Sequence, residues 1–161
     1  MMTASAKSVD LQLRNEVDVN GRHVIVTDEP ERLGGTDAGP APHELMAAML
    51  ASCVSTMITM YARTRGWELR DLSVEVTYDP ESTPRRVEIR VHLPEGLTAD
   101  QVRRLRRVAH TCPAKRSLEV GFTFDEQLIV GGNESEPTVS RMTSSPAPAS
   151  SSTVPASCYL G

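Results

Sequence analysis

Eighteen consecutive residues without a formal charge, Leu45 to Ala62, constrain this chain more than any other feature. A run of about 18 apolar residues is the lower limit for a helix that crosses a bilayer. This run, however, holds Ser52, Ser55, Thr56 and Thr59 together with four alanines and four methionines, so its hydrophobicity is modest. The segments on either side carry ordinary soluble patterning. The expectation is a central helix buried on nearly all sides of a folded domain, with no membrane partner. The chain's 161 residues suffice for one domain of ordinary size.

Leu11, Leu13, Val17 and Val19 alternate loosely up to Asn20-Gly21, a strong hairpin signal, and Arg22 to Thr27 reads as the return strand. Asp28-Glu29-Pro30 ends it. Three glycines and two prolines between Leu33 and Pro42 demand a shaped loop that delivers the chain into the helix. The helix should run to about Thr64 and stop at Gly66. Leu72–Tyr78 and Val87–Leu93 alternate cleanly and predict a second hairpin. Thr98-Ala-Asp-Gln101 is a capping box, and Val102, Leu105, Val108, Ala109 and Cys112 then share one helical face. Phe122, Phe124 and Leu128-Ile-Val130 suggest a last strand.

The ends read differently. Residues 1–9 are small and polar and are expected to be a flexible N-terminus, leaving 10–130 as the domain. In Pro137–Ser157, 17 of 21 residues are Pro, Ala, Ser or Thr. Residues 131–161 therefore read as a disordered tail, with Cys158 an exposed bystander thiol. The predicted order, ββ–α–ββ–α–β with antiparallel strands, is an α+β class.

A net charge of −4 gives no general attraction to nucleic acid or acidic membranes. Arg103-Arg104-Leu105-Arg106-Arg107 reads as a solvated helix face, and nucleic-acid binding through it is the weakest functional reading. Three cysteines, and no apolar leader within Met1–Asp10, point to the reducing cytosol, so a cytoplasmic protein is expected. There, paired cysteines are more often catalytic than structural. Cys53 lies in the apolar helix and Cys112 at the end of the arginine-studded one. Each alone has a bland reading, since a helical cysteine usually packs. Lys115 and Arg116 favour a Cys112 thiolate, whereas a helix C-terminus opposes it. Spacing does not show that the two thiols meet. Neither His43 nor His110 completes a tight metal-ligand spacing or is placed as a hydrolase base, so no metal or cofactor is expected.

Gly34-Gly-Thr-Asp-Ala-Gly39-Pro-Ala-Pro42-His-Glu44-Leu-Met-Ala-Ala-Met-Leu-Ala-Ser-Cys53, then Tyr61 to Gly66, then Ala109-His-Thr-Cys112-Pro-Ala-Lys115, resembles the OsmC/Ohr family. These are the osmotically inducible protein C and organic hydroperoxide resistance proteins, and the resemblance spans about residues 10–130. It implies antiparallel strands wrapped around two central helices in an intertwined homodimer, with two active sites at the subunit interface. It also implies a peroxiredoxin-like thiol peroxidase with Cys53 as peroxidatic nucleophile and Cys112 as resolving thiol. The substrate would be an organic hydroperoxide held in an apolar pocket walled by the Met-rich helix. A thiol or dithiol reductant would reopen the disulfide.

The family places an arginine, held by a glutamate, beside the nucleophile. Arg22 is the best candidate for the arginine, by context alone, and an arginine at that place is more often a strand-edge surface residue. The family's glutamate follows the proline directly; here His43 stands there and Glu44 one residue later, about 100° around the helix. The Pro-x-Glu-Leu arrangement resembles a less characterised branch. Glu44 also has a structural reading in the first helical turn. A second function class therefore stays open: a non-catalytic module that binds an apolar ligand or senses oxidation.

Overall fold

The computed structural model describes residues 1–9 and 12–129. Its elements run β1 (Ala4–Ser8), β2 (Asn15–Val19), β3 (His23–Thr27), α1 (Pro42–Thr64), β4 (Ser73–Asp79), β5 (Arg86–His92), α2 (Ala99–His110) and α3 (Pro113–Val120). The class is α+β. Residues 1–119 form one compact unit and a second begins at Val120.

Both expected hairpins form, the first with its return strand starting at His23, one residue after Arg22. Asn20 and Gly21 take left-handed backbone angles, φ 57° and 65°, and Val19 pairs with His23 across the turn. Such angles match the twist of the two strands they join. In the second hairpin Ser73 pairs with His92 and Asp79 with Arg86.

Local chemistry also sets the helix ends. Pro42 opens α1, and the Glu44 carboxylate accepts from the Ala41 backbone N–H at 2.9 Å. At the other end Trp67 N–H reaches the Ala62 carbonyl and Gly66 N–H the Arg63 carbonyl, a Schellman stop. Thr98 and Gln101 cap α2 reciprocally, at 2.8 and 3.3 Å.

Leu50, Val54, Ile58 and Ala62 are the buried stripe of α1, spaced four residues apart. α1 packs on β4 and on α2, and Val54, Ile58, Leu105 and Cys112 form the centre of the core. By length and composition α1 would suffice to cross a bilayer, but in this fold its inner stripe is part of that core.

Four expectations need correction. Residues 4–8 are not a frayed end: they form β1, pairing with β2, and Asn20 exchanges hydrogen bonds with Thr3. Backbone pairing alone makes that strand, so hydrophobic periodicity could not reveal it. α1 is not covered on nearly all sides of one chain, since Met60 on its outer face is 59% exposed. A third helix follows Cys112, because Pro113 supplies the pre-set φ of a first helical turn. Finally, no strand forms over described residues 121–129, although the Phe122 and Phe124 rings lie 6.2 Å apart. Alternation makes a segment competent to pair but supplies no partner strand. Val130, the tail 131–161 and Cys158 lie outside the described residues, as do Asp10 and Leu11.

Candidate functional site: two thiols between three helices

Cys53 sits on α1 one residue before the buried Val54, so its side chain lies at the margin of the core stripe and is half-buried. Cys112 is fully buried. It occupies the corner between α2 and α3, where its N–H reaches the Ala109 carbonyl and its own carbonyl accepts from Arg116 N–H at 3.1 Å. That carbonyl bond is the first of α3, so Cys112 stands at a helix N-terminus as well as beyond a C-terminus. The C-terminal dipole expected at this position is thus joined by an N-terminal one of opposite sign.

Cys53 packs against the core cluster that holds Cys112, close enough for their side chains to interact, and both are free thiols. Sequence spacing had left that meeting open. Burial pushes the Cys112 thiol up from its ordinary value, the Lys115 N–H at the start of α3 opposes the rise, and neighbouring Cys53 adds to it. Cys112 thus holds its proton at neutral pH. The more exposed member of the pair is the one that solvent and solutes can reach.

Glu44 and Arg22 are placed elsewhere in the single chain. Glu44 is exposed, its carboxylate engaged in the α1 cap. Nine residues of continuous helix separate it from Cys53, about 13 Å along the axis at 1.5 Å per residue. His43 is exposed in the same turn. Arg22 is exposed at the first hairpin turn, its backbone N–H bound to the Val19 carbonyl. Among the described residues no group of three or more His, Cys, Asp or Glu side chains converges to hold a metal.

Two features escaped the sequence reading. Asp28, read there as a strand stop, is buried and organises the glycine loop. Its carboxylate accepts from the Thr36 hydroxyl at 2.7 Å and from the N–H groups of Glu29, Thr36 and Ala38. The Thr36 hydroxyl bond leads in holding its acid constant at about 2, against an ordinary 3.8, despite burial. The sign follows directly: the carboxylate stabilises the fold above about 3.8, and that contribution is lost as pH falls towards 2. Asp28→Asn should therefore lower the urea midpoint at pH 7 and flatten the acid limb between those values. An unchanged acid limb would show that the carboxylate does not hold the loop. The second missed feature is Tyr61, which lies under Arg65 at 4.9 Å and meets Trp67 edge-on at 5.9 Å. Arg104, bound to Asp100 at 2.6 Å within α2, stays on the exposed face that the sequence predicts.

A cavity of about 650 Å³ lies between β5 and α2. Neither cysteine lines it, and α1 contributes Ile58 alone, so the Met-rich wall expected for a pocket is not its wall.

A long helix backed by an antiparallel hairpin, with two free thiols side by side where it meets the next helices, defines an α+β dithiol protein. The OsmC-like protein model matches residues 35–127, more than half of the chain, and the chain belongs to that family. Among solved structures, an osmotic stress induced and detoxification response protein from Psychrobacter arcticus is 28% identical, with TM-score 0.62, covering 72% of this chain and 87% of the other. An organic hydroperoxide resistance protein OsmC from Legionella pneumophila shares the fold at 24% identity and TM-score 0.51, with 72% and 87% covered. So does an OsmC-like protein from Mycoplasma pneumoniae, at 17% identity and TM-score 0.58, with 74% and 86% covered. Among curated proteins none matches the sequence.

Proposed function

We propose that this protein is a cytoplasmic thiol-dependent peroxidase that reduces organic hydroperoxides. The observation that carries the reading is the adjacency of a half-buried Cys53 thiol and a buried, protonated Cys112 thiol. The Cys53 thiolate attacks the outer oxygen of ROOH, the O–O bond breaks, and the leaving alkoxide takes a proton to depart as ROH. Cys53 is then a sulfenic acid. Cys112 condenses with it, forming the S–S bond and releasing water. A thiol or dithiol reductant reopens the disulfide by exchange and leaves oxidised.

In this reading Glu44 and Arg22 are the positioning and activating pair, with a second copy supplying Glu44, since in one chain it lies roughly 13 Å along α1 from the thiol. A homodimer is part of the same reading. Val24 on β3 is 65% exposed, and Ile25, Val26 and Met49 are exposed apolar side chains too, more than a lone folded chain needs to leave in water. Light scattering at micromolar concentration should give twice the chain mass, and Ile25→Lys with Met49→Glu should give the monomer. A monomeric parent protein would sink the interface site.

With a dithiol present, the protein should consume cumene hydroperoxide catalytically. Peptide mapping after one equivalent of peroxide should find Cys53 joined to Cys112. Oxidised protein without that bond would overturn the assignment. The capped Glu44 carboxylate favours one other reading, a redox sensor, which predicts the same disulfide with negligible turnover under excess reductant.

A further inference from the structure

α2 rests on α1 and α1 on β4, while the apolar face of β5 is only partly packed on that core and leaves a chamber towards α2. Ile89, Val91 and Leu93 alternate onto that face of β5, and Val102, Leu105 and Ala109 follow the helical repeat on α2. The resulting volume, about 650 Å³, falls within the range of about 300–1,000 Å³ usual for small-molecule sites.

Its polar groups gather on the lining from α2 onward. Arg106, His110 and Lys115 lie there, with Glu95 in the loop that closes the cavity below β5. Lys115 is already shared with Glu119 at 3.5 Å, whereas Arg106 has no ion-pair partner among the described residues. Arg103 and Arg104 of the same helix are both taken by Asp100. Arg106 therefore presents an uncompensated guanidinium beside an apolar chamber, a planar donor fork suited to a carboxylate.

We propose that this cavity binds a single-chain anionic amphiphile, its alkyl chain lying between β5 and α2 and its carboxylate paired with Arg106. The alkyl part supplies affinity by leaving water, and Arg106 supplies charge selectivity against Glu95. The site is separate from the thiol pair, and its occupancy does not depend on the peroxidase reading. It does border that pair. Ala109 and Lys115 line the cavity, and both hydrogen-bond through their backbones to Cys112.

The full-length protein would be titrated by calorimetry with dodecanoate below its micellar concentration, with dodecyltrimethylammonium as the charge-reversed probe. Hydrogen exchange would locate each bound probe. The expected result is saturable dodecanoate binding, about tenfold or more tighter than the cation, with slowed exchange across residues 94–110. Arg106→Glu, a substitution at an exposed position, should weaken dodecanoate by about tenfold to a hundredfold, the size of one charge-assisted hydrogen bond, and leave the cation bound no more weakly. Absence of saturable dodecanoate binding, equal affinity for the two probes, or an unaffected Arg106→Glu variant would each overturn the proposal. Slowed exchange confined to α1 would overturn it too, by placing the amphiphile on the thiol helix.

Discussion

Cys53→Ser should abolish hydroperoxide turnover, lowering dithiol-dependent consumption of cumene hydroperoxide by at least about a thousandfold, as removal of a reacting nucleophile does. Serine is close in size, and the position is only half-buried, so folding should survive. The oxygen that replaces sulfur is not ionised at neutral pH and cannot pass through a sulfenic state. Cys112 offers no substitute, because burial keeps it protonated and away from solvent. Cys112→Ser should behave differently. It should retain the first oxidation, trap a dimedone-reactive sulfenic acid on Cys53, and then over-oxidise to a sulfinic acid within a few turnovers. If Cys53→Ser kept a tenth of the parent rate, the chemistry would have to lie elsewhere. If the two variants lost activity alike with no trapped sulfenic acid, the division of labour between the thiols would be wrong.

The largest effect on stability is expected at Gly35. A methyl group there would fall on the Glu29 carbonyl and against Asp28 Oδ1. Neither neighbour can give way cheaply, since the Asp28 carboxylate already ties the Glu29, Thr36 and Ala38 N–H groups together. Gly35→Ala should therefore open the loop that delivers the chain into α1. The cost should be about 3 kcal/mol, the upper part of the usual range for forcing an atom into packed structure. For a domain of this size that is a fall of about 6–12 °C in Tm. Gly34→Ala is the control. Its Cβ would meet open space, so only the left-handed backbone at φ 90° is penalised, about 1 kcal/mol. Equal losses at the two glycines would show that backbone strain, not the clash on Glu29, governs this loop.

How far the chain could be read without coordinates depended on whether a feature is local. The Asn20-Gly21 turn, the Thr98/Gln101 box and the Gly66 stop each satisfy backbone groups within a few residues, and all three stand as read. β1 was invisible because Ala4-Ser-Ala-Lys-Ser8 has no apolar face, and its pairing with β2 is a backbone matter. Asp28 was misread for a related reason. A carboxylate after a strand is usually a solvated stop, and only the folded loop brings Thr36, eight residues on, against it.

The same line divides the candidate site. Cys53 and Cys112 could be picked out one by one, by residue type and by family motif, but 59 positions separate them in the sequence. The α2–α3 corner decides that Cys112 is buried, sits at the start of a helix and reaches Cys53. Glu44 shows the converse, since its place in the first turn of α1 is legible in the sequence and its cap bond to Ala41 is as local as the other caps.

By itself the sequence determined the α+β class, both hairpins, the extent of α1 and the identities of the two thiols. These follow from periodicities and caps that act over one or two turns. Only the tertiary structure decided which thiol is shielded, what Asp28 holds, and that an apolar chamber opens between β5 and α2. Those depend on which surfaces exclude water from which groups, and burial is a property of the packed whole.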